Sequence, residues 1–299
     1  MVEYLINLLI DSYSIATLSR GYGRKTKGFQ RADLQSTFET IGDEPLQYYH
    51  KFPEIQVGVD ENRVDGVAHL LWEQGVEPPD VILLDDAFQH RSIRAGLNIL
   101  LTEYQYLYCD DFLIPAGSLR DVKSAAKRAD IIVVSKSPKE LDEAKKQQII
   151  KRLKPADKQK VFFSYLKYRP LSPLNEVAKQ NSIENVQSVM AFCGIGNPKP
   201  FVEELKSRYK VIDFLCFDDH HVYSEKELRT ILKRYSTLTG EKKIIVTTEK
   251  DAARLTNSPY LCHFECAPLY ALPVKMRFHE EEKFNVDILN YVRQNPHHC

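Results

Sequence analysis

Short apolar runs of strand length alternate along this chain with longer segments of helical periodicity. The runs predicted as strands are 14–19 (SIATLS), Val81–Leu84, Leu97–Thr102, Ile131–Val134, Val161–Leu166, Val189–Phe192, Val211–Phe217 and Ile244–Thr247. The segments predicted as helices are 1–12, Val64–Gln74, Lys139–Leu153, Pro200–Tyr209 and Ser224–Tyr235. Strands that are apolar on both faces need cover on both faces, and helices between parallel strands supply it. The alternation therefore predicts an α/β fold with parallel sheets.

The composition narrows the function classes. The chain has 299 residues, of which 43% are hydrophobic, enough for one large or two ordinary domains. Lys plus Arg and Asp plus Glu both total 41, a balance that argues against a protein that coats nucleic acid. The six cysteines form no CxxC pair, so reduced buried thiols are expected rather than a zinc site. The apolar stretch Leu5–Ile10 is far shorter than the roughly 20 residues of a membrane span, which predicts a soluble or peripheral protein.

A domain boundary is predicted near residues 167–187. Tyr168–Pro173 has the composition of a linker, and Lys179–Gln187 is polar. Leu269–Phe278 is predicted as a late strand that could pair with Val161–Tyr168 and bridge the two domains as a two-stranded ribbon.

Two acids follow a buried-looking strand in the segment VILLDDAFQH. Asp85 and Asp86 would lie at the carboxyl end of Val81–Leu84, where open α/β sheets bind ligands. Carboxylates in that place hold magnesium in nucleotide-dependent enzymes, although acids after a strand are also common helix N-caps. His90 could contact a substrate or a phosphate, or be an ordinary hydrogen-bonded histidine.

A glycine-rich basic segment, SRGYGRK, follows the first predicted strand. Its glycines allow a sharp turn, and Arg20 and Arg24 suit a phosphate group, although a solvated basic turn has the same sequence. Further on, Gly42–Pro45 predicts a strand-to-helix turn. Asp43 in it is either a catalytic carboxylate or an N-cap.

Acids stand beside histidines in FDDHHVYS. His220 and His221 with such acids suggest an oriented base or a metal site. The alternative is a polar loop before a helix with a capping box of Ser224 and Glu227, and this cap is compatible with functional histidines. Two more segments are candidates: LIPAGSLRD, which contains Arg120, and TTEKD at a strand end.

The order of these motifs is more specific than any one of them. SRGYGR, GDEP, LLDDAFQH, LIPAGSLRD, CGIGNPKPF, FDDHHVYS and TTEKDAARL follow one another with a spacing that closely resembles the tetraacyldisaccharide 4'-kinase family. The resemblance runs from Glu3 to about Asn295.

The resemblance implies transfer of the γ-phosphate of ATP to the 4'-hydroxyl of an acylated glucosamine disaccharide 1-phosphate, giving lipid IVA in lipid A biosynthesis. It implies a P-loop-type domain at 1–167, a linker at 168–187, a smaller α/β domain at 188–267, and a return strand with a C-terminal helix at 268–299. A two-stranded linker would join the domains. The expected protein is monomeric, binds no nucleic acid and lies peripherally on the cytoplasmic face of the bacterial inner membrane.

The resemblance also implies roles for individual residues. Asp43 would act with His220, or with His221 as the competing choice, to activate the sugar hydroxyl, and Glu44 would assist. The remaining implied residues are Asp85 and Asp86 around Mg²⁺, His90 at the same site, Arg20 and Arg24 facing phosphate or the lipid head group, and Arg120 and Asp121 in a substrate loop. The family usually has Arg-Glu at this last pair, so the shorter Asp121 leaves its own role open.

One expected motif does not occur. ATP-using members carry GxxxxGK[ST] before the SRGYGR segment, and these 299 residues contain no Gly-Lys dipeptide. We expect a natural product that begins further upstream, and little or no turnover by the chain as it stands, because triphosphate positioning dominates phosphoryl transfer. The alternatives are a non-catalytic relative that binds the lipid head group or acts as a scaffold, and a kinase for another acylated or phosphorylated sugar.

Overall fold

The computed structural model describes residues 1–181, 183–240, 242–256 and 259–295. In these ranges the strands are β1 Ile15–Ser19, β2 Gln30–Arg31, β3 Gln56–Val59, β4 Val81–Leu84, β5 Ile99–Glu103, β6 Ile131–Ser135, β7 Lys160–Tyr168, β8 Ser172–Pro173, β9 Ser188–Cys193, β10 Lys210–Cys216, β11 Lys243–Thr248, β12 Leu269–Leu272 and β13 Val274–Phe278. The α-helices are α1 Val2–Leu9, α2 Phe38–Ile41, α3 Asp43–Lys51, α4 Arg63–Trp72, α5 Glu143–Leu153, α6 Glu176–Gln180, α7 Lys199–Arg208, α8 Glu225–Thr237, α9 Glu249–Thr256 and α10 Glu281–Gln294. Short 3₁₀ helices occur at Lys123–Arg128, Ile183–Asn185 and Pro259–Cys266.

Two four-stranded sheets are built from the strands β1 to β7 together with β13. One has the order β2-β3-β1-β4, and the other has the order β13-β7-β6-β5. Strand β1 is buried at every position, as expected for an apolar strand covered on both faces. Both sheets share one apolar core, to which β4 contributes Val81 and Leu83 and β5 contributes Ile99.

Strands β4 and β5 are the outer members of these two sheets. Among the described strands β4 pairs with β1 alone and β5 with β6 alone, in both cases parallel. The four apolar side chains of β4 are half-buried, whereas those of β6 are fully buried. Each sheet therefore keeps an edge at which a further strand could pair.

The third sheet has the order β10-β9-β11-β12-β8, and its first four strands are parallel. Strand β12 ends before Pro273, and β13 then pairs antiparallel with β7 in another sheet. The predicted late strand Leu269–Phe278 thus divides: Val274–Phe278 pairs with β7 as expected, and Leu269–Leu272 joins the third sheet. The α/β fold with parallel sheets is confirmed, while the domain limits stay a prediction.

The described cysteines are free thiols, of which Cys193 is buried and Cys216, Cys262 and Cys266 are exposed. The expectation that the thiols would be buried is wrong for those three, and Cys299 lies outside the described residues. None of the described helices combines the length and the apolar character needed to cross a bilayer.

Candidate active site

The site is organised by the start of helix α3. Helix α2 ends at Ile41, and α3 begins at Asp43 after the single residue Gly42, so the predicted strand-to-helix turn is a junction of two helices. Gly42 has φ +90°, and a Cβ on it would lie 2.9 Å from the carbonyl oxygen of Tyr22. The close approach of Gly42 to Tyr22, which a larger residue at position 42 would prevent, brings the glycine-rich segment and Asp43 together.

Three donors converge on one oxygen of Asp43. His220 Nδ1 lies 2.9 Å from Oδ2, and Arg254 donates to the same atom from Nε at 2.9 Å and from Nη2 at 2.7 Å. No hydrogen bond from a described residue reaches the second oxygen, Oδ1. The carboxylate is therefore oriented through one oxygen. Asp43 acts in this network, not as a side-chain helix cap.

Arg254 is held in turn by a buried carboxylate. Its side chain is 5% exposed, and its Nη1 donates to Asp251 Oδ1 at 3.1 Å and to the carbonyl oxygen of Gly194 at 3.2 Å. Asp251 is fully buried and also accepts from the Gly194 amide at 3.0 Å and from Thr248 Oγ1 at 2.6 Å. The ends of β9 and β11 thus position the guanidinium against Asp43.

The hydrogen bonds of Asp43 determine the direction of its pKa shift. Burial alone would raise this pKa, but the hydrogen bonds from His220 and Arg254 outweigh it and lower the pKa below the ordinary aspartate value. Asp43 is accordingly an anion at neutral pH.

His220 connects Asp43 to a second cation. When Nδ1 carries the proton and donates to Asp43, Nε2 keeps its lone pair, and Lys250 Nζ lies 3.3 Å from it. The same ammonium is 3.7 Å from Glu44. His220 has φ +59°, a left-handed conformation that is uncommon for a residue with a side chain and concentrates at functional sites.

His221 points elsewhere. Its Nε2 lies 3.1 Å from Glu227 Oε1, and its ring stacks on Phe217 with centroids 4.7 Å apart. Ser224 and Glu227 form the predicted capping box of α8, which is confirmed. Of the two histidines, the geometry favours His220 as the partner of Asp43.

A second group of side chains lies on the other side of α3. Tyr48, one turn after Glu44, donates from its hydroxyl to Asp85 Oδ2 at 3.0 Å. Burial raises the pKa of Asp85, and the nearby charge of Glu44 raises it further. The segment after β4 forms turns rather than a helix, so the N-cap interpretation of Asp85 and Asp86 is not what the structure has.

Asp86 adjoins this group and contacts Arg120 through both carboxylate oxygens. The neighbouring Asp121 turns away and pairs with Arg91 at 3.1 Å and Arg128 at 3.0 Å. The two residues of the predicted Arg120–Asp121 pair therefore have different surroundings, and Arg120 is the one beside the strand-end acids.

The remaining predicted residues differ in accessibility. Arg20 is exposed, whereas the Arg24 side chain is buried in an ion pair with Glu61. His90 Nε2 accepts a 3.4 Å hydrogen bond from the backbone amide of Arg63, at the start of α4. The structure thus places His90 near Asp86 through Arg63, whose guanidinium interacts electrostatically with Asp85 and Asp86.

The donor set at Asp85 and Asp86 fits magnesium, which is usually held by one or two carboxylates together with water and phosphate oxygens. Within the described ranges no group of three or more His, Cys, Asp or Glu side chains could hold a metal ion by itself. For the triphosphate of ATP no corresponding set of residues can be named, because the sequence contains no GxxxxGK[ST].

Sequence reasoning missed Arg254 and Tyr48 as site residues, and it named Asp251 only as part of the candidate segment TTEKD. Arg254 and Asp251 occupy positions i and i−3 of α9, on the face of that helix that turns toward Gly194, and Tyr48 is one turn into α3. The only available signal was the placement of charged residues in an otherwise buried helix after TTEKD. Their partners are more than 50 residues away in sequence for Gly194 and 211 residues away for Asp43.

Comparisons with known proteins place this geometry in context. The family model described as tetraacyldisaccharide-1-P 4'-kinase matches residues 1–293. The tetraacyldisaccharide 4'-kinase of Bacteroides thetaiotaomicron is 43% identical over 98% of this chain and 80% of its own length. That of Flavobacterium johnsoniae is 45% identical over 98% of this chain and 83% of its own length.

A solved structure resembles the whole fold. The crystal structure of LpxK from Aquifex aeolicus in complex with ATP superposes with a TM-score of 0.68 at 29% sequence identity. The match covers 97% of this chain and 82% of that one.

Proposed function

Because this chain belongs to the tetraacyldisaccharide 4'-kinase family, we propose that it is built to transfer the γ-phosphoryl group of ATP to the 4'-hydroxyl of a tetraacyldisaccharide 1-phosphate. The observation that carries the proposal is the convergence of His220 and Arg254 on one oxygen of Asp43, in a chain of this family. The product would enter lipid A biosynthesis.

The acceptor hydroxyl is activated by the Asp43–His220 pair. Nε2 of His220 takes the hydroxyl proton while the sugar oxygen forms its bond to the γ-phosphorus, and the bond from phosphorus to the bridging oxygen of ADP breaks. Asp43 holds the imidazole by Nδ1 and stabilises the positive charge that the ring gains. Lys250, 3.3 Å from Nε2, gives way to the hydroxyl and remains beside the phosphoryl oxygens. Glu44 orients Lys250.

The strand-end acids supply the nucleotide side. Asp85 and Asp86 would hold Mg²⁺, which neutralises phosphate charge when it is bound. Tyr48 orients Asp85, and Arg120 is released from Asp86 to contact phosphate. Arg20 is exposed within electrostatic reach of Arg63, and it would meet an anionic group of the acceptor. Arg24 supports that segment through Glu61, and His90 supports Arg63.

The oligomeric state and the cellular location of the protein are also part of the proposal. The protein would act as a monomer at the cytoplasmic face of the bacterial inner membrane, which it meets peripherally, because its acceptor carries acyl chains. His221 belongs to the support of the loop that carries His220.

The test is transfer of labelled phosphate from ATP to tetraacyldisaccharide 1-phosphate. In a form of the protein that includes a GxxxxGK[ST] segment, Asp43→Asn and His220→Gln should lower kcat by about 10²–10⁴-fold, the usual range for a general base. His221→Gln is the matched control, and it should change stability more than kcat. Equal losses in both histidine variants would contradict the assignment of His220.

A second candidate is a non-catalytic protein that binds the acylated head group. It is favoured by one observation, the lack of a Gly-Lys dipeptide in the 299 residues. Acceptor binding without any turnover, unchanged by Asp85→Asn, would support it over the kinase. Turnover by the chain itself would exclude it.

A further inference from the structure

Five consecutive apolar or small residues lie exposed in the loop between β5 and β6. Every residue from Phe112 to Ala116 is exposed, and the relative exposures of Phe112 and Ile114 are 63% and 62%. We name this segment, residues 112–116, the apolar loop. Single exposed apolar residues need no explanation, but a contiguous group of large ones marks an interaction surface.

The backbone of the apolar loop is firmly held. The Asp111 carboxylate accepts hydrogen bonds from the Phe112 amide at 2.7 Å and from Ser118 Oγ at 2.5 Å. The Leu119 amide donates to the Phe112 carbonyl at 3.0 Å, and the Ile114 amide donates to the Leu119 carbonyl at 3.1 Å. The loop is thus ordered by its own bonds while its side chains face water, so their exposure is not a consequence of a missing local structure.

Two lysines lie at the base of the apolar loop. The segment 110–128 contains four basic residues and three acids, and two of the basic residues, Arg120 and Arg128, pair with Asp86 and Asp121. Lys123 Nζ lies 5.1 Å from the centre of the Phe112 ring and donates to the Cys109 carbonyl at 2.8 Å. Lys127 is exposed nearby in the 3₁₀ helix Lys123–Arg128.

We propose that the apolar loop inserts into the interfacial region of an anionic lipid bilayer, with Lys123 and Lys127 against its head groups. Such a surface is complementary to this part of the protein, because the apolar side chains would contact acyl chains while the cations contact anionic head groups. Exposed lysines beside an apolar tip favour anionic lipid over a protein partner.

The position of the loop connects it to the candidate site. Arg120 follows the loop directly and contacts Asp86. A membrane under the apolar loop would therefore lie beside the strand-end acids, on the nucleotide side of a site whose acceptor carries acyl chains. This last step rests on the proposed function, whereas the lipid contact itself does not.

The test is co-sedimentation of the full chain with vesicles, without nucleotide, so that its outcome is independent of kinase turnover. Vesicles of phosphatidylethanolamine with one quarter phosphatidylglycerol should bind the chain, and pure phosphatidylcholine should bind it more weakly. Phe112→Ser with Ile114→Ser should weaken binding about tenfold or more, because two large side chains lose their transfer from water. Lys123→Gln with Lys127→Gln should weaken binding to the anionic vesicles only.

Leu34→Ser is the matched control, since Leu34 is 96% exposed outside this loop. It should leave vesicle binding unchanged. Binding by the Phe112→Ser, Ile114→Ser variant equal to that of the parent chain would overturn the proposal, as would no binding by a folded parent chain. If the parent chain forms a dimer without lipid and the Phe112→Ser, Ile114→Ser variant does not, the apolar loop contacts a second copy of the chain. That result would also overturn the proposal.

Discussion

Replacing Arg254 with Met tests whether Asp43 is held by a cation on helix α9. The guanidinium is nearly fully buried and contacts two carboxylates, Asp43 and Asp251. Methionine keeps much of the side-chain volume but leaves both carboxylates without this donor. Removing one partner of a buried ion pair costs about 3–5 kcal/mol. We expect about 3 kcal/mol, since Asp43 retains His220 and Asp251 retains Thr248.

The assay is urea unfolding at two pH values, with Arg254→Lys and Arg234→Met beside it. The folded-state pKa of Asp43 is depressed, so its ionic contribution to stability is present above its unfolded value near 3.8 and is lost as the pH falls through the folded pKa. The cost of Arg254→Met should therefore be largest above about pH 5 and shrink toward pH 3. Lysine should restore part of the stability, because it keeps the charge but not the forked geometry.

Arg234 is the matched control in the same sheet unit. It pairs with Asp213 but is half exposed, so Arg234→Met should cost no more than about 1 kcal/mol. A double-mutant cycle of Arg254→Met with Asp43→Asn should show a coupling of about 2 kcal/mol. An additive cycle, or a cost that does not depend on pH, would refute the account of Arg254 as the residue that holds Asp43.

Three further outcomes follow from the same contacts. Asp85→Asn should stabilise the protein at pH 7 by about 1 kcal/mol, because burial raises the pKa of Asp85 and makes its ionised form costly in the folded state. The effect should disappear below pH 4, where the carboxyl is protonated. Unfolding at both pH values measures the effect, and a loss of stability at pH 7 would contradict the prediction. Gly42→Ala should cost about 1–3 kcal/mol more than Gly23→Ala in the same melts, because both have positive φ but only Gly42 has a backbone oxygen 2.9 Å from the added Cβ. Lys51→Met should cost about 1–2 kcal/mol of stability near neutral pH, since Lys51 bridges Glu3 and Glu249 at 2.7 Å each. Salt should reduce this cost, so a difference in stability between parent and variant that is the same in high and low salt would contradict the prediction.

Local patterns of the sequence were sufficient for most of the α/β framework. Apolar runs such as Val81–Leu84 and Ile131–Val134 became strands within one or two residues of the predicted limits. Strand β3 was missed because Gln56 and Gly58 interrupt its apolar character, although its last three residues are buried. Its burial comes from its neighbours β1 and β2 in the sheet, and no local pattern contains that information.

The candidate site was likewise predictable from the sequence only in part. Asp43 and His220 were named as a pair because the chain resembles a family, and their 2.9 Å contact across 177 residues supports that expectation. Arg254 could not be found, since a basic residue in a helix is usually on a solvated face, and only the tertiary fold buries it against Asp251. His220 was preferred to His221 because of the resemblance, and in the structure Glu227 and Phe217 engage His221.

Helix α3 links the two halves of the proposed chemistry. Asp43 at its first position contacts His220 and Arg254, and Tyr48 one turn later contacts Asp85 at the end of β4. A displacement of α3 would therefore disturb the acceptor side and the metal side together. Helix–sheet packing keeps α3 in place, and its ion pairs with α9, through Lys51 and Glu249, add to this.

The open edge of β4 indicates where a phosphate-binding loop would have to lie. A strand that pairs parallel with β4 ends at the same side of the sheet as Asp85, because the carboxyl ends of parallel strands share one edge. The loop after such a strand would reach the strand-end acids, and the strand itself would cover the half-buried side chains of β4. We therefore expect that a segment with a strand followed by GxxxxGK[ST], joined to this chain, raises turnover by pairing at this edge and protects the amides of β4 from hydrogen exchange. Raised turnover without protection of β4 would place the loop elsewhere and refute this geometry.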